Sequence, residues 1–420
     1  MCMLFRLSTL ALFVLLCTCV RAQTEADVRA LGFDPERLAR VDGFLSDLVT
    51  DGVVPNAQAL VLRRGRVVYR SHFGYADLER RTPVRADAIY RIASQTKAMV
   101  TVALMMEFER GKFLLEDPVA DYIPAFREPR VIVEHGSEPG TYVTEPARRP
   151  ITIRQLLSHS SGIPYGLPNG PPPGADVPFF FTLEDESTEE IVNRIARRPL
   201  LHHPGEGFTY GLSTDVAGRL LEVISGQPLD RYLAEHLWRP LGMNDSHFYL
   251  PPAKHNRLVE LYSRHQPGAP LSLHEKTDYR TYPIAGAQRY HSGGAGSVGT
   301  IDDYARFCQM MLNRGELDGH RFLAPKTVDL MLRNHIGAAE VWDRRDKFGL
   351  GFQLIGPGSR YGDQATPGAF TWGGLFCSEY TIDPAEELVM LVYTNVEPIP
   401  EYSEIVRKFR VLVYQALVGE

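Results

Sequence analysis

The stretch Tyr90-Arg91-Ile92-Ala93-Ser94-Gln95-Thr96-Lys97 stands directly before a long apolar run that ends at Gly111. Residues 98–108 carry apolar side chains on every side of the predicted helix, which is typical of a helix buried inside a protein. A spacing of three places Ser94 and Lys97 on one face of its first turn. Free backbone N–H groups and the positive end of the helix dipole favour negative charge at that position.

A serine and a lysine placed in this way are suited to nucleophilic catalysis. A serine hydroxyl attacks a carbonyl carbon efficiently only when a base takes its proton. A lysine can be that base only in its neutral form, which burial and nearby positive charge both favour. The alternative is an ordinary helix-capping serine beside a solvated lysine, and the Ser94-x-x-Lys97 spacing alone leaves both interpretations open.

The two ends of the chain show mirrored patterns. The amphipathic helices and strands predicted there cover residues 34–52, 57–62, 66–73, 377–382, 388–394 and 402–417. A helix followed by a hairpin at one end, and a hairpin followed by a helix at the other, indicate one antiparallel sheet built from both termini. The predicted fold class is therefore α/β in the broad sense (α+β), with helices flanking that sheet.

The predicted domain organisation follows from this pairing of the ends. Residues 23–110 and 208–420 form an α/β sandwich domain, and residues 111–207 form a mainly helical inserted domain. Stretches rich in proline and glycine at 138–150, 163–180 and 266–296 are predicted to be long surface loops. Loops of that length in a compact protein often line a cleft, so we expect the functional site near them.

Length, composition and charge exclude several classes of protein. The 420 residues are 44% hydrophobic and 23% charged, which is ordinary for a globular protein and excludes disordered, coiled-coil and fibrous chains. The formal net charge of −6 and the absence of a basic block argue against a nucleic-acid partner. No segment after the first residues is apolar enough to span a membrane.

Residues 1–22 have the pattern of a secretory signal peptide. Arg6 is followed by an apolar run of about 14 residues, shorter than the ~20 that a membrane span needs, and the segment ends in Val20-Arg21-Ala22. We expect cleavage after Ala22 and a secreted or periplasmic protein. Cys2, Cys17 and Cys19 leave with this segment.

Two cysteines remain in the predicted mature chain. Cys308 and Cys377 could form one disulfide in an oxidising compartment, but both lie in apolar or strand-like contexts. Two buried free thiols are at least as well supported.

The Ser94 stretch is one of several blocks in which this sequence resembles the penicillin-recognising serine hydrolases. That family includes class C β-lactamases, D-Ala-D-Ala peptidases and the family VIII carboxylesterases. The similar blocks cover nearly the whole mature chain, at residues 90–97, 114–119, 153–162, 208–213, 240–243 and 372–374. The resemblance implies the β-lactamase/transpeptidase-like fold and an acyl-enzyme formed on Ser94 with Lys97 as its base, and it is closest to the family VIII carboxylesterases.

The family's Tyr-x-Asn motif corresponds to Tyr210-Gly211-Leu212. The resemblance implies that Tyr210 lies beside the serine and the lysine and passes protons to the leaving group. Leu212 stands where the family has asparagine, so an amide that would hold an amide side chain of the substrate is missing. His159, in the third block, is implied to have a structural role near the cleft.

The family's Lys-Thr-Gly motif is replaced by Trp372-Gly373-Gly374. The resemblance implies that these residues contact the substrate, and that the N–H groups of Leu375 and Ser94 form the oxyanion hole. Trp372 offers an apolar face and one N–H donor in place of a cation. This change favours neutral, apolar acyl groups, and Trp372 could wall an acyl pocket together with residues 179–181.

The predicted function is thus a secreted serine hydrolase that cleaves acyl esters by a Ser-Lys-Tyr mechanism on small-molecule ester or amide substrates. A β-lactamase, a D-amino-acid peptidase or amidase, and an acyltransferase remain open alternatives on the same site. A non-catalytic penicillin-binding-like module is a further alternative, which intact Ser94, Lys97 and Tyr210 argue against. We expect no cofactor and no metal site, since the sequence contains no His-Glu-x-x-His or paired Cys-x-x-Cys motif. The oligomeric state is left open.

Overall fold

The computed structural model describes residues 24–138, 140–170 and 176–419. The predicted leader at 1–22 lies outside the described residues, and so do the three cysteines within it and part of the loop predicted at 163–180.

The α-helices begin and end as follows: α1 (Glu25–Ala30), α2 (Pro35–Leu38), α3 (Arg40–Thr50), α4 (Thr96–Glu109), α5 (Ile153–Leu157), α6 (Thr188–Ala196), α7 (Ser213–Ser225), α8 (Leu229–Leu233), α9 (Thr277–Thr281), α10 (Ile301–Leu312), α11 (Pro325–Met331) and α12 (Tyr402–Tyr414). Throughout the ranges that the structure describes, no helix combines the length and the apolar composition that a membrane span requires.

The strands are β1 (Asn56–Arg63), β2 (Arg66–Asp77), β3 (Thr82–Pro83), β4 (Tyr90–Arg91), β5 (Arg130–His135), β6 (Tyr142–Pro146), β7 (Tyr262–Ser263), β8 (Ser272–Leu273), β9 (Val298–Gly299), β10 (Glu316–Leu317), β11 (His320–Arg321), β12 (Lys347–Phe348), β13 (Gln353–Leu354), β14 (Phe370–Gly374), β15 (Ser378–Asp383) and β16 (Leu388–Tyr393). Eight of them form the main sheet, in the order β12-β13-β14-β15-β16-β1-β2-β3.

The two ends of the chain meet at the centre of this sheet. Strand β1 pairs antiparallel with β16, with Gln58 opposite Tyr393 and Arg63 opposite Leu388. Both hairpins predicted from the sequence are present, as β1–β2 and β15–β16. The predicted fold class, one antiparallel sheet that both termini build and that helices flank, is confirmed.

Alternation along the central strands divides the core into two layers. Leu60 of β1 belongs to the hydrophobic cluster that contains α4, α7 and α10, whereas Ala59 and Val61 belong to the cluster under α3 and α12. Because side chains alternate between the faces of a strand, each central strand contributes to both layers. The active-site helix α4 lies in the first layer, where every residue from 96 to 107 is buried.

The segment 111–207 differs from the expectation that it is mainly helical. Its described residues, 111–138, 140–170 and 176–207, hold only the short helices α5 and α6, two 3-10 turns and the hairpin β5–β6. Much of the rest of these ranges is irregular, in keeping with the proline- and glycine-rich stretches. Its buried residues Leu156 and Ile191 lie in the same cluster as Met99 and Val216. The segment therefore shares its core with the rest of the protein, and the boundaries at 110 and 207 stay a prediction.

Candidate active site

Ser94 lies in a tight turn at the entrance of the buried helix. The residues Ala93–Gln95 form a 3-10 turn that leads directly into α4, and Ser94 is partly exposed whereas its neighbours are buried. Ala93 adopts a φ of 43°, in the left-handed region that is unfavourable for a residue with a Cβ atom. A local conformation of this kind has to be held by contacts from outside the turn.

Gln95 supplies those contacts. The hydroxyl of Tyr393 donates a hydrogen bond to Gln95 Oε1 at 2.6 Å, and Gln95 Nε2 donates to Ser378 Oγ at 3.1 Å. The hydroxyl of Tyr304 donates to the backbone carbonyl of Gln95 at 2.9 Å. The turn that presents Ser94 is thereby attached to β15, β16 and α10.

Lys97 is buried and directed at the serine. Its Nζ lies 3.3 Å from Ser94 Oγ, 2.7 Å from the hydroxyl of Tyr165 and 2.7 Å from the carbonyl oxygen of Gly294, and it donates to all three. The residue is 2% exposed. The structure therefore brings together the serine and the lysine that the sequence placed on one helical face.

Tyr210 lies beside Lys97 with its ring rather than with its hydroxyl. Lys97 Nζ is 4.7 Å from the centre of the Tyr210 ring, a cation–π distance, and the Tyr210 hydroxyl accepts a hydrogen bond of 3.0 Å from Trp372 Nε1. The hydroxyl that contacts the ammonium group is instead that of Tyr165. Burial raises the pKa of Tyr165 well above its usual value, and the neighbouring Tyr210 and Asp215 raise it further.

Asp215 is a buried carboxylate behind the lysine. Its Oδ1 accepts hydrogen bonds from Ser292 Oγ at 2.5 Å, from the Tyr290 hydroxyl at 3.1 Å and from the N–H of Gly294 at 3.2 Å. Burial raises the pKa of Asp215, and the positive charge of Lys97 opposes this shift. The carboxylate thus fixes the loop whose carbonyl, at Gly294, accepts a hydrogen bond from Lys97.

Strand β14 runs against the serine turn at Gly374. A Cβ atom on Gly374 would lie 2.4 Å from the carbonyl oxygen of Ile92, and one on Gly373 would lie 2.1 Å from the Tyr402 hydroxyl. Only glycine permits both close approaches. Gly374 therefore lets the strand lie beside the turn that carries the serine.

Next to these glycines, the indole of Trp372 lies among other aromatic rings. The ring of Trp372 stacks on that of Trp342 at 5.6 Å and packs against that of Tyr210 at 4.9 Å. Aromatic faces therefore bound the site on the side of Trp372.

A cavity of about 260 Å³ opens at this place, and the predicted site residues that line it are Ser94, Tyr210, Trp372, Gly373, Gly374 and Leu375. Of the three phenylalanines expected to wall an acyl pocket, Phe179 lines the cavity and stacks on Tyr165 at 4.4 Å. Phe180 and Phe181 pack elsewhere, against Tyr282 in a separate buried cluster. The expectation of a three-phenylalanine wall is therefore met by one residue.

In the part of the chain that the structure covers, no three His, Cys, Asp or Glu side chains are grouped as metal ligands would be. His159 is buried against the rings of Tyr210 and Phe348, and burial lowers its pKa well below the usual value. Cys308 and Cys377 are both buried free thiols, and burial raises the pKa of Cys377 to about 12.

Three residues of the immediate surroundings escaped the sequence reasoning. Tyr165 stands three residues after the block at 153–162, and proximity to that block was the only available signal. Asp215 stands just after the block at 208–213, and Gly294 stands in the surface loop predicted at 266–296. Their contacts join positions 79 residues apart, which no local pattern predicts.

Comparison with known proteins identifies the family to which this chain is similar. The family model described as Beta-lactamase matches residues 41–415. Esterase EstB of Burkholderia gladioli is 32% identical over 399 residues, which cover 88% of this chain and 93% of that protein.

Solved structures agree with this family. EstCE1, described as a hydrolase with promiscuous acyltransferase activity, superimposes with a TM-score of 0.76 at 26% identity and covers 90% of this chain and 99% of its own. Simvastatin synthase (LovD) of Aspergillus terreus superimposes with a TM-score of 0.75 at 24% identity, over 91% of this chain and 98% of its own, and at that identity it shows the fold alone.

The resemblance that the motif blocks indicated is confirmed by these matches. The family model spans almost all of the described chain, and Esterase EstB is a relative above 30% identity. This chain therefore belongs to the β-lactamase family and is a serine hydrolase.

Proposed function

We propose that this protein is a carboxylesterase that forms an acyl-enzyme on Ser94. The observation that carries the proposal is the 3.3 Å contact of Lys97 Nζ with Ser94 Oγ at the mouth of the cavity lined by Trp372. A buried amine that contacts the hydroxyl is in position to take its proton. The 32% identity to Esterase EstB supports an ester as the substrate.

In the acylation step, Lys97 acts as the neutral amine. Ser94 Oγ attacks the carbonyl carbon of the ester while the serine proton moves to Lys97 Nζ. The N–H groups of Ser94 and Leu375, two residues that line the same cavity, stabilise the negative oxygen of the tetrahedral intermediate. When the intermediate collapses, the bond to the alcohol oxygen breaks, and that oxygen takes a proton from Lys97 or Tyr210. Water then attacks the acyl-enzyme, returns a proton to the site and releases the carboxylic acid and free Ser94.

The two tyrosines take different parts in this scheme. Tyr165 keeps its proton, because burial raises its pKa, and its oxygen accepts a hydrogen bond from Lys97 and so positions the amine. Tyr210 has its ring against Lys97 and its hydroxyl at Trp372. Its place at the cavity wall supports the role of proton carrier to the leaving alcohol.

Acyl transfer to an alcohol is the second candidate. It is favoured by the structural similarity to EstCE1, whose description includes acyltransferase activity. Both reactions share the acyl-enzyme and differ only in whether water or another alcohol attacks it.

A substrate panel tests the proposal directly. 4-Nitrophenyl acetate, butyrate and octanoate, nitrocefin and a D-alanyl-D-alanine peptide are compared by kcat/KM, with and without added butanol. We expect at least one ester to exceed nitrocefin and the peptide by about 10²-fold or more. A higher kcat/KM for the lactam or the peptide would contradict esterase function, and a transesterified product would establish acyl transfer. Failure of a fluorophosphonate to modify Ser94, detected by peptide mass spectrometry, would favour a non-catalytic module.

Export is the remaining part of the proposal. We propose that residues 1–22 are a signal peptide and that the mature protein is secreted or periplasmic, on the basis of the apolar run and the Val20-Arg21-Ala22 end. In a bacterial host with a periplasm, the extracted protein should begin at Gln23 by N-terminal sequencing. An intact amino terminus at Met1 in the cytoplasmic fraction would contradict it.

A further inference from the structure

The cavity extends past the serine along an open strand edge. Strand β13 pairs with β14 only at Phe370 and Thr371. In the described parts of the chain, the last three residues of β14 therefore have no partner strand on that side. Beyond this edge the cavity is lined by polar groups, among them Arg344, Gln353, Tyr361 and Glu379. One cavity therefore has an aromatic mouth and a polar end, and a ligand attached at Ser94 can reach the polar end.

Arg344 is held in a defined orientation at this polar end. Its Nη1 donates a hydrogen bond of 2.7 Å to Gln353 Oε1. Its guanidinium carbon lies 3.6 Å from the ring centre of Tyr361 and 4.5 Å from that of Trp342. Stacking on aromatic rings orients a guanidinium and leaves the donors at its edge available, because the rings occupy its faces.

The charge of Arg344 has no direct partner. Within the described ranges, no Asp or Glu oxygen lies within the 4.0 Å of an ion pair from its guanidinium nitrogens, and Nη1 is the only one of those nitrogens that donates a hydrogen bond. Arg344 is connected to the carboxylate of Asp346 only indirectly, through Gln353. The Nε2 of Gln353 donates a hydrogen bond to Asp346 Oδ2 at 2.7 Å. A guanidinium has five N–H donors, so most of those of Arg344 remain free for a ligand.

The acid that lines the cavity, Glu379, is already paired. Glu379 is 5% exposed, its Oε1 lies 3.5 Å from Nη1 of the buried Arg410, and its Oε2 accepts a hydrogen bond from the Tyr361 hydroxyl. It therefore does not neutralise Arg344 by direct contact. The polar end of the cavity presents one oriented, half-buried cation to whatever enters.

Resting on the proposed esterase function, we propose that Arg344 binds a carboxylate of the substrate, so that the preferred esters carry an anionic group. The planar fork of a guanidinium matches the two oxygens of a carboxylate, and such charge-assisted bonds are stronger than neutral ones. The expectation of neutral substrates rested on Trp372, which replaces the cation of the Lys-Thr-Gly motif. In this proposal the cation is instead Arg344, in the segment before β12, which stands 28 positions before Trp372 in the sequence.

Matched ester pairs test this inference. The mono-4-nitrophenyl ester of adipic acid is compared with 4-nitrophenyl hexanoate, which places the carboxylate in the acyl part. 3-Acetoxybenzoate is compared with 3-acetoxybenzamide, which places it in the leaving group. For at least one pair, the wild type should prefer the anionic ester, and Arg344→Gln should lower that preference in kcat/KM by about tenfold or more, chiefly through KM.

Control variants separate recognition from a structural effect. Arg344→Lys keeps the charge without the fork and should restore part of the preference. Arg345→Gln removes the same charge from the adjacent, exposed side chain and should leave the preference unchanged. An equal loss of kcat/KM for anionic and neutral esters in Arg344→Gln, or no anionic preference in the wild type for either pair, would overturn the inference.

A binding measurement distinguishes this inference from the proposed function. If no ester is hydrolysed, esterase function fails, and calorimetric titration of the wild type and Arg344→Gln with adipate and with hexanamide still tests Arg344. Adipate binding that weakens about tenfold in Arg344→Gln, with no such change for hexanamide, supports the carboxylate site. Equal adipate binding by both proteins, or none by the wild type, refutes it.

Discussion

Ser94→Ala is expected to leave a folded protein whose kcat for 4-nitrophenyl butyrate is lower by about 10³-fold or more. The reason is that the acyl-enzyme forms on Ser94 Oγ, and among the residues that the structure describes the phenol of Tyr165 is the only other hydroxyl hydrogen-bonded to Lys97. The removed oxygen is at the partly exposed mouth of the cavity, so the stability should change little. The measurements are initial rates over a range of ester concentrations and a thermal unfolding curve.

Ser403→Ala is the matched control for this variant. It removes the same atom from an exposed position of α12 and should leave kcat and the melting temperature as they are. Retention of more than a tenth of the wild-type kcat by Ser94→Ala would refute the nucleophile assignment. Loss of the folded state would leave the fluorophosphonate adduct on the wild type as the deciding observation.

Lys97→Met is expected to lower kcat by about 10³-fold and also to destabilise the protein by about 2 kcal/mol or more. The loss of activity follows from removal of the amine that contacts Ser94 Oγ. The loss of stability follows because the buried Asp215 is left without the positive charge that favours its ionised form. Exposed Lys326→Met is the control and should have neither effect.

The instability of Lys97→Met should depend on pH in a defined direction. Burial raises the pKa of Asp215 above its usual value and Lys97 opposes that shift, so removal of the lysine raises the pKa further. A carboxyl group whose pKa is higher in the folded than in the unfolded state loses stabilisation as the pH rises. Chemical denaturation should therefore show a larger deficit at pH 8 than at pH 5.

A second substitution separates the two effects of Lys97→Met. The three hydrogen bonds to Asp215 all end on Oδ1, so Asp215→Asn keeps an acceptor there and removes the charge. The double variant Lys97→Met/Asp215→Asn should recover stability at pH 8 without recovering activity. A double variant as unstable as Lys97→Met would show that Asp215 is not the source of the instability.

The elements of the fold were predictable because their signals are local. Alternation of side chains predicted the central hairpins, now β1–β2 and β15–β16, and an apolar run predicted the buried helix α4. The pairing of the two ends followed from their mirrored patterns. The segment 111–207 was harder, because its short helices and its irregular loops have no long periodic run.

The candidate site was predictable in part for a similar reason. Ser94 and Lys97 are three residues apart at the start of one helix, so their spacing predicts the contact between them. The roles expected of Tyr210 and Trp372 came from the resemblance of their motifs. The resemblance did not indicate that the hydroxyl of Tyr210 would bind Trp372 and that Tyr165 would contact the lysine.

The sequence by itself therefore determined the secondary structure of the two ends, the family of the chain and the serine–lysine pair. Only the tertiary structure decided which groups surround that pair. Tyr165 and Gly294 reach Lys97 from 68 and 197 residues away, and Arg344 joins the cavity that Ser94 lines. Spacing along a helix or strand constrains neighbours within a few residues, whereas such distant contacts depend on how helices and loops pack around the sheet.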